Sequence, residues 1–251
     1  ATIESFATSP ASAPATVTVT VTVTAILIRP ELTAMTDEAV GALDDRPDLG
    51  VFVRGRMLVT VARDGTPRER WLRRTPGSPV IVPIDHARML GIIDRAALWM
   101  KTDGRRKEGL APAMPPSLIA TQLLARTEWL LRYLEDVIET PTIRADGSIL
   151  DTPGYDEATG LLYEPATSGT AYPSIPERPS REDVQAAVAL LLEPVRDFPF
   201  LAETDRATYV LAVLTLIGRH VVDGPVPMFP IRSPAPGTGK SLLASVIGII
   251  G

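Results

Sequence analysis

The chain contains no cysteine, which excludes disulfides and thiolate metal sites. That absence favours a reducing compartment, and the expected localisation is cytoplasmic. Histidine is nearly missing too: His86 and His220 stand far apart, so a His-rich metal centre is not expected. Lysine occurs only at Lys101, Lys107 and Lys240, against 22 arginines. Aromatic residues make up 5% of the chain, so few rings are available for stacking on bases or for a core. No apolar run approaches the roughly 18 residues of a membrane span, and no basic segment leads into an apolar one as in a signal peptide. The chain starts on Ala1 and ends in an apolar run, so both ends are expected to be cut.

What is present describes a soluble globular protein. The 251 residues are 45% hydrophobic and 22% charged, enough for one or two domains with packed cores. The 24 prolines argue for several connecting segments. A net charge of −5 conceals an asymmetry, because residues 51–107 hold 13 Lys/Arg against 5 Asp/Glu. Such a basic region reads either as a contact surface for a polyanion or as ordinary solvated surface in an Arg-favouring chain.

Residues 1–24 are rich in Ala, Ser, Thr and Pro and pass into a Thr/Val alternation. The expectation there is low complexity and disorder, with a half-buried strand into Ala25–Ile28 as the other reading. Residues 25–112 read as a basic α+β domain. A helix capped at Thr36 runs through Leu43, and two strands meet around Gly55 in Val51–Val61. Further strands fall at Val80–Ile84 and Ala96–Lys101, with a short helix over 86–93. The candidate nucleic-acid contacts are Arg54, Arg56, Arg68, Arg70, Arg73, Arg74, Arg105, Arg106 and Lys107, in or beside connecting loops. Trp71 and Trp99 read as core rather than as stacking platforms.

Residues 113–163 are expected to give a helix over 117–138, then short strand pieces with turns. Residues 164–180 read as a Pro-rich linker, and 181–251 as a helical lead-in to a nucleotide-binding domain. Ser180 and Asp183 form a capping box for a helix whose stripe is Val184, Ala187, Val188, Leu191 and Leu192. A more uniformly apolar helix, expected to be buried on most sides, spans 205–219. Met228–Arg232 is then an apolar strand candidate.

That strand candidate leads into Pro234-Ala235-Pro236-Gly237-Thr238-Gly239-Lys240-Ser241, which fits G-x-x-x-x-G-K-[ST] except at its first Gly. The pattern makes a turn whose backbone N–H groups cradle phosphates. One of three lysines occupies the one position that needs a compact ammonium. The plain alternative is a Gly-rich turn before an apolar helix. Asp151-Thr152-Pro153-Gly154 resembles a GTPase switch tetrapeptide, but it precedes the phosphate loop rather than following it. It reads as a turn.

The order of three segments carries a resemblance: Pro141–Tyr163, Asp197-Phe198-Pro199-Phe200, then Pro234–Ser241. It resembles the large replication ATPases of phages and integrative elements, the virus-type primase–helicase proteins. The pair Val51–Gly55 and Leu58-Val59 is similar to the strands that precede those segments there, so the likeness covers roughly residues 26–251. It implies a mixed α/β fold leading into the start of an AAA+-like P-loop NTPase domain, acting on DNA as a homo-oligomeric ring. Pro236, Gly237, Thr238, Gly239, Lys240 and Ser241 would hold ATP, with Lys240 on the β/γ-phosphates and Ser241 on Mg²⁺. Eleven residues follow Lys240, so the acidic metal partner, sensor and arginine finger are expected outside these residues, and no catalytic residue is assigned. Two alternatives stand beside this reading. One is a non-catalytic DNA-binding or loading module with a vestigial nucleotide site; the other is a P-loop ATPase that remodels proteins.

Overall fold

A two-residue turn at Gly55 shows how local chemistry starts this fold. The computed structural model describes residues 24–63, 77–106, 109–165, 175–176, 178–233, 235 and 237–250. Gly55 has φ 60°, and Arg56 after it is not in the positive-φ region. This is the II′ pattern, whose twist suits a tight hairpin. It joins β2 (Phe52–Arg54) to β3 (Met57–Arg63), with Arg54 opposite Met57.

The described residues are mixed α/β, with six α-helices and eleven short strands. They divide into two compact units, 24–49 with 86–125 and 50–85 with 126–250. The stretch 25–112 therefore contributes to both, because 50–85 is inserted between two helices of the first unit.

The first unit is built on β1 (Thr24–Leu27), which pairs parallel with β5 (Ala97–Thr102), itself antiparallel to β6 (Leu110–Pro112). Its helices are α1 (Leu32–Asp44), α2 (His86–Ala96) and α3 (Ser117–Ala125), which pack on one another. Each turns apolar residues inward: Met35, Ala39 and Leu43, then Met89, Ile92 and Ile93, then Ile119, Ala120 and Leu123. Trp99 is 1% exposed and its indole N–H donates to the Ile93 carbonyl at 2.9 Å, so it is core as expected. Helix α1 starts four residues before the expected cap. Thr36 lies inside it, buried, with its hydroxyl donating to the Leu32 carbonyl at 2.8 Å. That back-bond satisfies the hydroxyl without a helix end.

In the second unit β4 (Pro79–Pro83) completes the antiparallel order β2-β3-β4. A second sheet has the order β10 (Gly154–Asp156), β11 (Leu161–Tyr163), β7 (Asp136–Ile138), and a hairpin joins β8 (Thr142–Ile143) to β9 (Ile149–Leu150). The expected helix over 117–138 is corrected here: it ends at Ala125, and residues 136–138 are strand. Tertiary pairing overrides the helical spacing, because Val137 pairs with Leu162 and the Leu134 N–H donates to the Val53 carbonyl at 2.8 Å. Leu134, Phe52 and Val59 form the local core. Arg144 ties the turn-rich segment together through a 2.8 Å bond to Asp156, whose carboxyl is held low by that guanidinium and then by the Thr159 hydroxyl.

The C-terminal helices are α4 (Arg181–Leu192), α5 (Glu203–Ile217) and α6 (Lys240–Ile250). The capping box on α4 forms as read: the Ser180 hydroxyl accepts from the Asp183 N–H, and the Asp183 carboxylate accepts from the Ser180 N–H. The expected buried stripe does not form, since α4 has no buried residue. Helix α5 buries only Tyr209, Ala212 and Val213, so it is not buried on most sides; Leu211 and Leu214 are half exposed. Most of 1–24 and of the expected linker 164–180 lies outside the described residues.

Candidate nucleotide-binding site

The loop before α6 bends because two of its glycines take a backbone conformation that side chains oppose. Gly237 has φ 79° and Gly239 φ 83°, while Thr238 between them does not have positive φ. This alternation turns successive N–H groups toward one concavity, the geometry of an anion nest. Lys240 is the first residue of α6, so unpaired helix N–H groups and the positive end of the helix dipole join that nest. Leu243 anchors the helix: it is 6% exposed, packs with Val195, Tyr209 and Val213, and its N–H donates to the Gly239 carbonyl at 2.9 Å.

Internal hydrogen bonds converge on one carbonyl. The Ala235 oxygen accepts from the Ser233 hydroxyl at 3.0 Å, the Thr238 hydroxyl at 3.3 Å and the Lys240 ammonium at 3.2 Å. The Ser233 and Thr238 hydroxyls lie 2.5 Å apart. Lys240 is thus folded back over the loop onto a neutral acceptor that it shares with the loop's paired hydroxyls. An anion on the nest offers the ammonium a far stronger partner than a carbonyl. Ser241 is exposed in the first turn of α6 and offers one hydroxyl. No group of three His, Asp or Glu side chains able to hold a metal exists among the described residues. The donor set therefore fits Mg²⁺ only as an ion carried largely by nucleotide oxygens and water.

Pro234 and Pro236 lie outside the described residues, so the expected ATP-holding set is described at Gly237, Thr238, Gly239, Lys240 and Ser241. The strand candidate Met228–Arg232 is corrected, for no described strand pairs with it. Pro227 and Pro230 each lack the N–H that a ladder requires. The described residues thus hold the loop and the following helix without a parallel sheet beside them.

Sequence reasoning missed what stands next to the loop. The ring of Phe198 lies 3.4 Å from where a Cβ on Gly239 would sit, an ordinary contact distance, so that glycine is needed for φ rather than for space. Phe198 and Phe200 are 5.0 Å apart, and Phe200 lies 6.2 Å from Tyr209, both pairs tilted. They border a cavity of about 330 Å³. The signal was in the chain: Asp197-Phe198-Pro199-Phe200 concentrates two of its five phenylalanines within four residues.

The candidate nucleic-acid contacts that are described belong to both units. Arg54 and Arg56 stand at the β2–β3 hairpin of the second unit, Arg54 near Asp136 at 3.9 Å. Arg105 and Arg106 belong to the β5–β6 connection of the first unit, where Arg106 lies 3.9 Å from Asp103. Arg68, Arg70, Arg73, Arg74 and Lys107 lie outside the described residues. Among the other cations of the region, Arg63 pairs with Glu164 at 2.9 Å. No helix among the described residues is long and apolar enough to cross a membrane. No protein-family model matches the chain, and no curated protein or solved structure is significantly similar to it.

Proposed function

We propose that this chain binds the triphosphate of ATP, with Mg²⁺, on the loop 233–241, and acts within a DNA replication ATPase of the phage-like primase–helicase kind. The observation that carries the nucleotide part is the alternating backbone at Gly237–Gly239 leading directly into Lys240 at a helix start. That arrangement presents N–H groups, a helix dipole and an ammonium to one anion. The order of the three sequence segments supports the replication context, and the excess of cations in residues 51–107 supports DNA as partner. A ring of copies belongs to the same reading.

Calorimetric titration of the whole chain with Mg·ATP tests the nucleotide part. Binding is expected, and Lys240→Ala is expected to weaken it at least tenfold without altering the circular dichroism spectrum. Equal affinity of the two proteins would remove the loop from the reading. Single-stranded DNA binding across a salt series tests the partner; log K against log [salt] is expected to fall with a slope set by several phosphate contacts. A flat response, or no binding, removes DNA.

A further inference from the structure

We infer that α4 is a self-association surface, on which the α4 helices of two copies of this chain pair antiparallel about a two-fold axis at Ala189. The inference is independent of the nucleotide reading. It also differs from the contact of a ring, which joins two different patches, whereas a two-fold pair uses one patch twice and closes on itself.

Helix α4 offers an apolar surface that its own chain does not cover. Eight of its twelve residues are apolar, yet every residue from Arg181 to Leu190 is exposed, and Leu190 is 69% exposed. A helix of this composition ordinarily turns its apolar stripe against a partner surface. A groove of about 420 Å³ lies between α4, the 3-10 turn Glu193–Val195 and the start of α5. Ala186, Ala189, Leu190 and Val195 give it an apolar lining. Glu182 falls on the same helix face, four residues before Ala186.

Charge and shape identify the occupant. Glu182 and Asp183 make the first turn of α4 acidic, while Arg196 and Arg206 stand at the groove's other end. With Ala189 of one copy on Ala189 of the other, residue 182 falls opposite residue 196, each 7 positions from the axis. Both ends of the pair then match, acid against cation, and a parallel arrangement would set like charges together. Arg196 and Arg206 reach Asp197 and Glu203 at 3.8 and 3.7 Å, beyond hydrogen-bond length, so both guanidinium groups keep donors to offer. Glu193, the acid on the groove's rim, falls opposite Gln185, whose amide can donate to it. The short side chains of Ala186 and Ala189 let two helices approach closely, and Leu190 of each copy enters the groove of the other. Antiparallel helices also oppose their dipoles favourably.

Sedimentation equilibrium of the whole chain measures the association. A dimer is expected, and Leu190→Glu is expected to weaken it at least tenfold without altering the circular dichroism spectrum. Glu182→Arg should weaken it about tenfold, because two like-charge contacts replace two ion pairs. Adding Arg196→Glu should restore the affinity to within about threefold of wild type. Each charge change opposes the dipole of α4, so recovery in the double variant comes from the pair and not from helix stability. A monomer at every concentration overturns the pairing. So does a dimer or larger species indifferent to Leu190→Glu or to Glu182→Arg, or a double variant no better than Glu182→Arg alone.

Discussion

Helices α1–α3 and helices α4–α6 carry similar amounts of apolar sequence and use it differently. In the first set Met89, Ile119 and Leu123 are wholly buried. In the second, Val184, Leu190, Leu211, Leu214, Leu242 and Ile249 stay largely exposed, and a single small cluster around Val213 and Leu243 does the holding. Amphipathic spacing shows which residues share a face. Whether that face is covered depends on another surface of matching shape, which no helix encodes by itself. The loop that presents Lys240 is mounted on the thinly packed set, and the cavity beside it exists because packing there is incomplete.

The largest effect that sharpens this contrast is a matched pair of truncations. Trp99→Ala removes a fully buried indole and its hydrogen bond, and should destabilise the first unit by about 3–5 kcal/mol. Leu214→Ala in α5 removes a side chain that is 51% exposed and should cost about 0.5 kcal/mol or less. Urea unfolding followed by circular dichroism measures both. Similar midpoints for the two variants would mean that the α5 face is covered in solution, and the contrast between the helix sets would fail.

The next effect concerns a pair that belongs to neither helix set. Asp156 accepts from Arg144 at 2.8 Å and from the Thr159 hydroxyl at 2.7 Å, and its side chain is only 13% exposed. Both partners favour the carboxylate, so its folded pKa lies below the unfolded value of about 4. The stabilisation is fully present above that unfolded value and is lost as pH falls through the lower folded one. Asp156→Asn should cost about 1.5–3 kcal/mol near neutral pH, the range for hydrogen bonds to a charged group. The cost should shrink below about pH 4, where wild type loses the same interaction. Parallel unfolding curves for the two proteins across pH 2–7 would rule out the pairing.

Legibility in the sequence followed the range of the forces involved. Gly55, Ser180–Asp183 and the glycines at 237 and 239 were readable because each answers a requirement a few residues wide: a positive φ, an orphan N–H, a nest. The helix expected over 117–138 failed at Ala125 because its second half is claimed by strands distant in sequence, Val53 and Leu162. The same limit hid the cavity. Phe198 and Gly239 are 41 residues apart, and only the fold sets the ring beside the glycine. The division of residues 25–112 between two units was not read either, because the basic stretch that begins at residue 51 runs on to 107, across the second boundary at residue 86.

The smallest effect tests whether a thinly packed helix depends on its cap. Helix α1 has no side-chain cap at Glu31 yet buries six residues, whereas α4 has a full capping box and buries none. Local hydrogen bonds should therefore matter more to α4. Ser180→Ala removes the hydroxyl that accepts from the Asp183 N–H and donates to the Asp183 carboxylate, while the backbone N–H of residue 180 stays on that carboxylate. A loss of about 1 kcal/mol is expected, confined to the helix start. Native-state hydrogen exchange at residues 181–186 should accelerate about fivefold, while amides around Trp99 keep their protection. Glu31→Ala should leave exchange in α1 unchanged. If both substitutions fray their helices equally, packing does not shield α1 and the difference between the helix sets is one of exposure alone.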